Sequence, residues 1–269
     1  MRGWRNCALT IESVAAQGFA DEVLPANYGP VALFLDVDGT LLDLAERPER
    51  VVTPAGLIST LARTERKLGG ALALISGRPL DDLDRLFAPL RLRASGVHGA
   101  EIRFDPDAPA IPSPQVSELP ASLWTALTAA LKEFPGVFAE NKRYSFAIHY
   151  RQAPHAGAAL RKAVTRLVEA EPRIPVEVMA AHCAIELKAP GFDKGRAIAA
   201  FLSHPVFAGR APVFVGDDAT DEAGFAVVSA RGGRAYSVGH RRPWTVGAFE
   251  RPRDVRDWLA QFAEGREDA

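Results

Sequence analysis

Residues 31–40, VALFLDVDGT, run five apolar side chains straight into two carboxylates, Asp36 and Asp38, one residue apart. Further along the chain, Ser76 stands in ISGR, Lys194 in FDKG, and Asp217, Asp218, Asp221 and Glu222 crowd into GDDATDE. Several carboxylates brought within a few ångströms cannot all ionise unless something positive joins them. An all-oxygen donor set of this kind points to Mg²⁺, which keeps some of its waters and leans on one or two carboxylates plus a substrate phosphate. In such a site one aspartate of the first pair attacks phosphorus and forms an acyl phosphate, while the other protonates the leaving oxygen and later activates water. Ser76 and Lys194 hold phosphoryl oxygens, and Lys194 offsets charge in the transition state. Lys194 also opens a helical stretch, where the helix dipole opposes a cation unless an anion lies close by.

These residues need strand ends to stand on, because ligands of open α/β sheets bind beyond the carboxyl ends of the strands. From residue 31, VALFL, ALALIS and LRASGV read as strands separated by helices in TPAGLISTLARTER, with Thr53 as cap and Pro54 at the first turn, and in PLDDLDRLF. Unalternating apolar runs suit parallel strands covered on both faces, so this part is α/β. Pro106, Pro109, Pro112, Pro114 and Pro120 then crowd a stretch that no helix or central strand tolerates, and a domain boundary is expected there. Beyond it, SLWTALTAALKEF and HAGAALRKAVTRLVEA show helical spacing. YSFAIHYR alternates, with Tyr144, Phe146, Ile148 and Tyr150 on one face and Ser145, His149 and Arg151 on the other. VEVM and CAIELK alternate as well, so Glu186 and Lys188 share a face.

The α/β pattern resumes at residue 189 with DKGRAIAAFL, PVFVG, TDEAGFAVVSA, AYSVG and RDVRDWLAQFA. The expected architecture is a Rossmann-like parallel-sheet core, residues 29–104 and 189–264, interrupted by a small α+β domain over 105–188. Residues 1–28 form an N-terminal extension.

The 269 residues, 48% hydrophobic and 24% charged, suffice for a sizeable core, and a formal net charge of −1 gives no field that would draw the chain to nucleic acid or an anionic membrane. Cys7 and Cys183 are too few for a disulfide framework. Glu12 and Gln17 break the apolar run near the start, so neither a signal peptide nor a spanning helix is read there. The expectation is a soluble, cytoplasmic protein.

DVDGT at 36–40, Ser76 in ISGR, Lys194 in FDKG and GDDATDE at 216–222 resemble, in order, the four motifs of the haloacid dehalogenase superfamily of phosphohydrolases. The insertion between the second and third motifs is similar to that superfamily's larger type of cap. More narrowly, these motifs together with GVHGAE and ENKRYSFAIHYR resemble the trehalose-6-phosphate phosphatase family, from about residue 30 to 260. The resemblance implies Asp36 as nucleophile and Asp38 as general acid and base. It implies Mg²⁺ held by the Asp36 carboxylate, the Asp38 main-chain carbonyl and Asp217, with Asp218 and Asp221 supporting the metal's waters. The substrate, a small-molecule sugar phosphate, would meet Asp36, Val37, Asp38 and Arg78 in the core. Glu140, Lys142, Glu186 and Lys188 match positions that the family uses to grip the disaccharide.

Plainer readings stand beside these. An isolated DxDGT is a strand and an Asp-Gly turn; Arg78 is a surface ion-pair partner; His98 is a hydrogen-bonded loop residue; Lys142 and Arg143 tip a hairpin. Trp124 and Trp244 pack in a core or rim, and His240, Arg241 and Arg242 form a solvated basic loop. Competing functions are hydrolysis of another sugar phosphate, such as sucrose phosphate, and an inactive scaffold that binds a sugar-phosphate synthase. The intact carboxylates speak against the scaffold, which has no use for charges that repel one another.

Overall fold

The structure is a computed structural model that describes residues 29–45, 47–113, 116–181 and 183–265; the N-terminal extension expected over residues 1–28 lies outside them. Two sheets organise the chain. The larger has eight strands in the order β12-β11-β10-β1-β2-β3-β4-β5. They are β1 (Val31–Leu35), β2 (Leu72–Ile75), β3 (Arg93–Gly96), β4 (Glu101–Arg103), β5 (Ile111–Pro112), β10 (Ala211–Gly216), β11 (Arg234–Val238) and β12 (Gly247–Phe249). Pairings from β12 through β3 are parallel, and β4 and β5 close one edge antiparallel. Every residue of β1 is buried, as a central parallel strand with helices on both faces requires. Those helices include α1 (Leu57–Lys67), α2 (Leu80–Leu86), α5 (Lys194–Leu202), α6 (Glu222–Ala230) and α7 (Pro252–Glu264). Phe34 of β1 stacks on Phe207 at 5.5 Å and leans on Phe201 at 6.1 Å, each such burial stabilising by roughly 1.5–3 kcal/mol.

The smaller sheet is antiparallel, in the order β6-β7-β9-β8: β6 (Phe138–Asn141), β7 (Ser145–His149), β8 (Glu177–Ala181) and β9 (Ala184–Lys188). Helices α3 (Ala121–Leu131) and α4 (Gly157–Ala170) cover one face. Leu123, Leu127, Leu160 and Val164 pack there against Phe146, Ile148, Ile185 and Leu187. The alternation read in YSFAIHYR is realised: the even-numbered residues enter this apolar cluster, while Ser145, Ala147 and His149 face the other way, over the strand ends of the larger sheet. Trp124 packs edge-on against Phe146 at 5.0 Å, as a core tryptophan.

Two local expectations need correction. Thr53 does not cap α1, because its hydroxyl donates to the Leu86 carbonyl at 2.7 Å and the helix starts behind Gly56 instead. The proline-rich stretch contributes β5 to the larger sheet beyond residue 104; Pro112 is tolerated because β5 is an outermost strand, where a missing N–H interrupts no central ladder. The short strands β4, β6 and β12 carried too little pattern to be read. Among the described residues no helix is long and apolar enough to cross a membrane.

Candidate active site

The ends of β1, β2, β3 and β10 lie side by side in the sheet, which brings together residues far apart in sequence. Asp36 follows β1 directly, and its N–H donates to the Val215 carbonyl of β10 at 2.9 Å, so the ladder fixes its backbone. The chain then turns through Gly39 at φ +82°, where a Cβ would stand 2.1 Å from Asp217 Oδ2; only glycine permits both this conformation and this approach. Thr40 Oγ1 donates to Asp36 Oδ2 at 3.0 Å. From the start of α5, Lys194 Nζ donates to Asp36 Oδ1 at 2.7 Å and to Asp221 Oδ1 at 2.6 Å. Asp221 Oδ2 accepts the N–H groups of Asp217 and Asp218, at 3.0 and 2.9 Å, which shapes the turn after β10. Carboxylate oxygens of Asp36, Asp217 and Asp221 lie within 4.8 Å of one another.

Burial pushes Asp36 well above the ordinary carboxylate range, with Asp221 and Asp217 adding to the shift and Lys194 opposing it. Burial, and then Asp221, raise Asp217 to about 7. Burial works against the charge on Lys194, yet Asp221 and Asp36 outweigh it and hold the ammonium above its ordinary pKa. One cation is thus shared among three crowded acids. Hard oxygen donors with excess negative charge are what a divalent metal ion relieves, and the cluster can hold one. Both oxygens of Asp221 accept hydrogen bonds, from Lys194 and from the turn after β10, and both oxygens of Asp36 accept them too, from Lys194 and Thr40.

Asp38 points elsewhere. Arg78 grips it through Nε at 2.6 Å and Nη2 at 2.7 Å, a bidentate pair of the strong kind. Ser76 is buried after β2, and its Oγ accepts the Arg78 N–H at 3.1 Å. Above these residues the smaller domain contributes Glu140, whose carboxylate lies 3.3 Å from His149 Nε2 and 3.9 Å from Lys142 Nζ. Lys142 Nζ donates to the Gly77 carbonyl at 3.0 Å. Glu186 receives Ser145 Oγ at 2.6 Å and His98 Nε2 at 2.8 Å, contacts that hold its carboxyl well below the usual range despite burial.

A cleft of about 190 Å³ lies between the domains, bordered by Asp36, Asp38, Arg78, Lys194, Asp217 and Asp218 below and by Glu140, Lys142 and Glu186 above. Val37, Ser76 and Asp221 lie behind this lining. Lys188 shares the Glu186 face but not the cleft: its ammonium donates to the Phe192 carbonyl and pairs with Glu177, both at 2.6 Å.

Several residues of the site had no reading as such. His98 borders the cleft as a hydrogen-bonded loop residue. His149 and Arg151 border it from the polar face of YSFAIHYR. Arg242, read as part of a solvated basic loop, donates to the Asp217 carbonyl at 2.8 Å and pairs with Glu222 at 3.1 Å. The one sequence signal for it was a basic run available to an acidic cluster.

A parallel sheet whose central strand ends in DVDGT, with a buried lysine and a second carboxylate turn from the neighbouring strand, under an inserted α+β domain, is the haloacid dehalogenase fold. Residues 34–243 match the family model described as trehalose-phosphatase, and the chain belongs to that family. It is 38% identical to trehalose-6-phosphate phosphatase of Escherichia coli (strain K12), over 88% of this chain and 86% of that protein. It is 42% identical to a probable trehalose-phosphate phosphatase of Sinorhizobium fredii, over 96% and 98%. The solved C-terminal domain of C. albicans trehalose-6-phosphate phosphatase shares the fold, with a TM-score of 0.77 at 20% identity over 93% of this chain and 97% of that one.

Proposed function

We propose that this protein hydrolyses trehalose 6-phosphate to trehalose and phosphate in a Mg²⁺-dependent reaction that passes through an aspartyl phosphate on Asp36. One observation carries the chemistry: a buried carboxylate at a strand end, bonded to a buried lysine and crowded by Asp217. Family membership and the names of the relatives support the substrate.

Asp36 attacks phosphorus, and the bond from phosphorus to the sugar oxygen breaks as Asp38 delivers a proton to that oxygen. Asp38 then takes a proton from water, which attacks the phosphoryl group and frees Asp36 and inorganic phosphate. In the structure both Asp38 oxygens face Arg78, so the carboxylate must exchange this partner for the leaving oxygen when substrate arrives. Lys194 and Ser76 hold phosphoryl oxygens, and Lys194 opposes the protonation of Asp36 that burial favours. The Asp36 carboxylate, the Asp38 main-chain carbonyl and Asp217 would hold Mg²⁺, with Asp218 and Asp221 behind them. The ion, when bound, supplies Lewis-acid neutralisation of phosphoryl charge.

The smaller domain, whose chain begins beyond β5, is a cap, and Glu140, Lys142 and Glu186 on its polar sheet face hold sugar hydroxyls. Lys188 is left out of this set, because its ammonium ties β9 to Glu177 and Phe192. A site that hydrogen-bonds hydroxyls rejects analogues that leave its buried polar groups unpaired, which is how a cap discriminates where a core that sees only phosphate does not. The balanced charge and sparse cysteines favour the cytoplasm as the place of action.

The test is phosphate release from trehalose 6-phosphate, sucrose phosphate, glucose 6-phosphate and p-nitrophenyl phosphate, each with Mg²⁺ and with EDTA. The expected result is the highest kcat/KM for trehalose 6-phosphate and none in EDTA. A preference for sucrose phosphate would overturn the substrate, and silence on every ester would leave a synthase-binding scaffold.

A further inference from the structure

Val97 (φ 47°) and His98 (φ 55°) are consecutive non-glycine residues with left-handed backbone. For a β-branched valine this is a true outlier, and such conformations persist only where the surroundings over-determine them. Here the surroundings act from three sides. The Val97 N–H donates to the Arg78 carbonyl and the His98 N–H to the Ser76 carbonyl, both at 2.9 Å, so the turn clips residues 76–78 at each end. The His98 ring lies against Gly77 so closely that a Cβ there would come within 2.5 Å of Cε1 and Nε2. Val97 and Ala100 belong to the apolar cluster of the cap, with Leu119 and Phe192 beside them, although their chain comes from the core.

The cap reaches residues 76–78 by two polar routes. Lys142 donates directly to the Gly77 carbonyl, and Glu186 accepts from His98 Nε2. His98 Nδ1 is buried and meets no hydrogen-bond partner, so Glu186 is the ring's anchor. The cleft of about 190 Å³ is small beside the roughly 300–1,000 Å³ typical of small-molecule pockets, and both contacts cross it, so any parting of the domains that admits a phosphorylated disaccharide breaks both.

We propose that His98 is a positioning residue: seating Glu186 on His98 as the cap closes sets residues 76–78, and with them Ser76 and the Arg78 guanidinium from which Asp38 is released, in the arrangement needed for phosphoryl transfer. This rests on the proposed roles of Ser76 and Asp38. It makes Glu186 a relay to the core as well as a sugar contact.

The test uses the full chain with Mg²⁺ and p-nitrophenyl phosphate, an ester without a sugar, and compares His98→Ala, His98→Gln, Glu186→Ala and the His98→Ala/Glu186→Ala double variant. Each Ala variant should lower kcat on this ester by about 5- to 150-fold, the usual span of coupling between sites, with KM little changed. The double variant should be no worse than either single one. His98→Gln, whose amide still donates to Glu186, should recover most of the rate, and X-ray scattering should show the Ala variants more open. If His98→Ala does not fold, the Gln variant and Glu186→Ala carry the comparison. A folded His98→Ala with wild-type kcat, a Gln variant as slow as Ala, or a Glu186→Ala that spares the aryl ester would each overturn the coupling. If wild-type protein hydrolyses the aryl ester and ignores trehalose 6-phosphate, the substrate reading fails and the coupling stands. If it hydrolyses no ester, the phosphatase reading has failed and the coupling falls with it.

Discussion

Lys194 offers the sharpest perturbation, because it is 3% exposed and donates to two buried carboxylates at 2.7 and 2.6 Å. Its folded pKa lies above the ordinary lysine value, so its stabilisation is fully present below about pH 10.5 and is lost only as pH climbs through the folded value. Lys194→Met keeps the volume and removes the charge. Asp36 and Asp221 then face each other and Asp217 without a cation, and breaking a buried pair in this way costs about 3–5 kcal/mol. In a chain of this size each kcal/mol moves the melting temperature by roughly 2–4 °C, which gives a drop of about 6–20 °C. Burial already raises Asp36 toward its neutral form. A group raised in this way binds its proton more tightly when folded, so stability grows as pH falls toward 5 and the deficit shrinks. Saturating Mg²⁺ shrinks it too, by supplying the missing charge. Thermal melts of both proteins in EDTA at pH 8 and pH 5, repeated with Mg²⁺, measure all three differences. A variant that melts within about 2 °C of wild type at pH 8 in EDTA, or one whose deficit is the same at both pH values, refutes the electrostatic account of the site.

Asp36→Asn should fold normally and show no turnover, since an amide is no nucleophile toward phosphorus and only a weak, uncharged ligand; wild-type phosphate release from it would sink the covalent route. Asp38→Asn should still accept a phosphoryl group on Asp36, and repeated rapid-quench mass spectrometry without an aspartyl phosphate would count against the division of labour between the two residues. Protons compete with Mg²⁺ at Asp217, raised to about 7, so the apparent Mg²⁺ dissociation constant should grow about fivefold from pH 7 to 6 and about tenfold more from 6 to 5. Calorimetric titration of EDTA-stripped protein reads this directly, and an affinity flat across that range would remove Asp217 from the ligands.

The part of the site legible in sequence is the part that each strand carries to its own end. Asp36, Ser76 and Asp217 follow apolar runs, and the rule that ligands gather beyond the carboxyl ends of parallel strands needs no knowledge of which strand lies beside which. Lys194 was legible for a different reason, as a charge placed against a helix dipole. Alternation was equally sufficient for the face of Glu186, but it could not supply the neighbour. Lys188 sits two residues on along β9, on the same face and opposite Glu177 of β8, which takes its ammonium out of the cleft. Face is a property of one strand, whereas partner is a property of register.

Neither the roles of His98 and Arg242 nor the closeness of the two domains could be obtained from local pattern. Each of these side chains acts by hydrogen bonds to backbone or carboxylate far away in the chain, and such contacts impose no composition on the residues between. Arg242 in an isolated HRR run is indistinguishable from a solvated charge, yet its Nε fixes the carbonyl of Asp217, twenty-five positions earlier. The signal that survives in one dimension is an imbalance. A cluster of five acids at 36, 38, 217, 218 and 221 exceeds what Lys194 alone can offset, so further cations had to come from somewhere, and basic residues in loops next to strand ends are where to look. Arg78 and Arg242 are the two that the fold delivers, one to Asp38 and one to the turn that carries Asp217. Both grip the edges of the cluster, and its centre, between Asp36 and Asp217, is where the proposed reaction places a metal ion and a phosphoryl group.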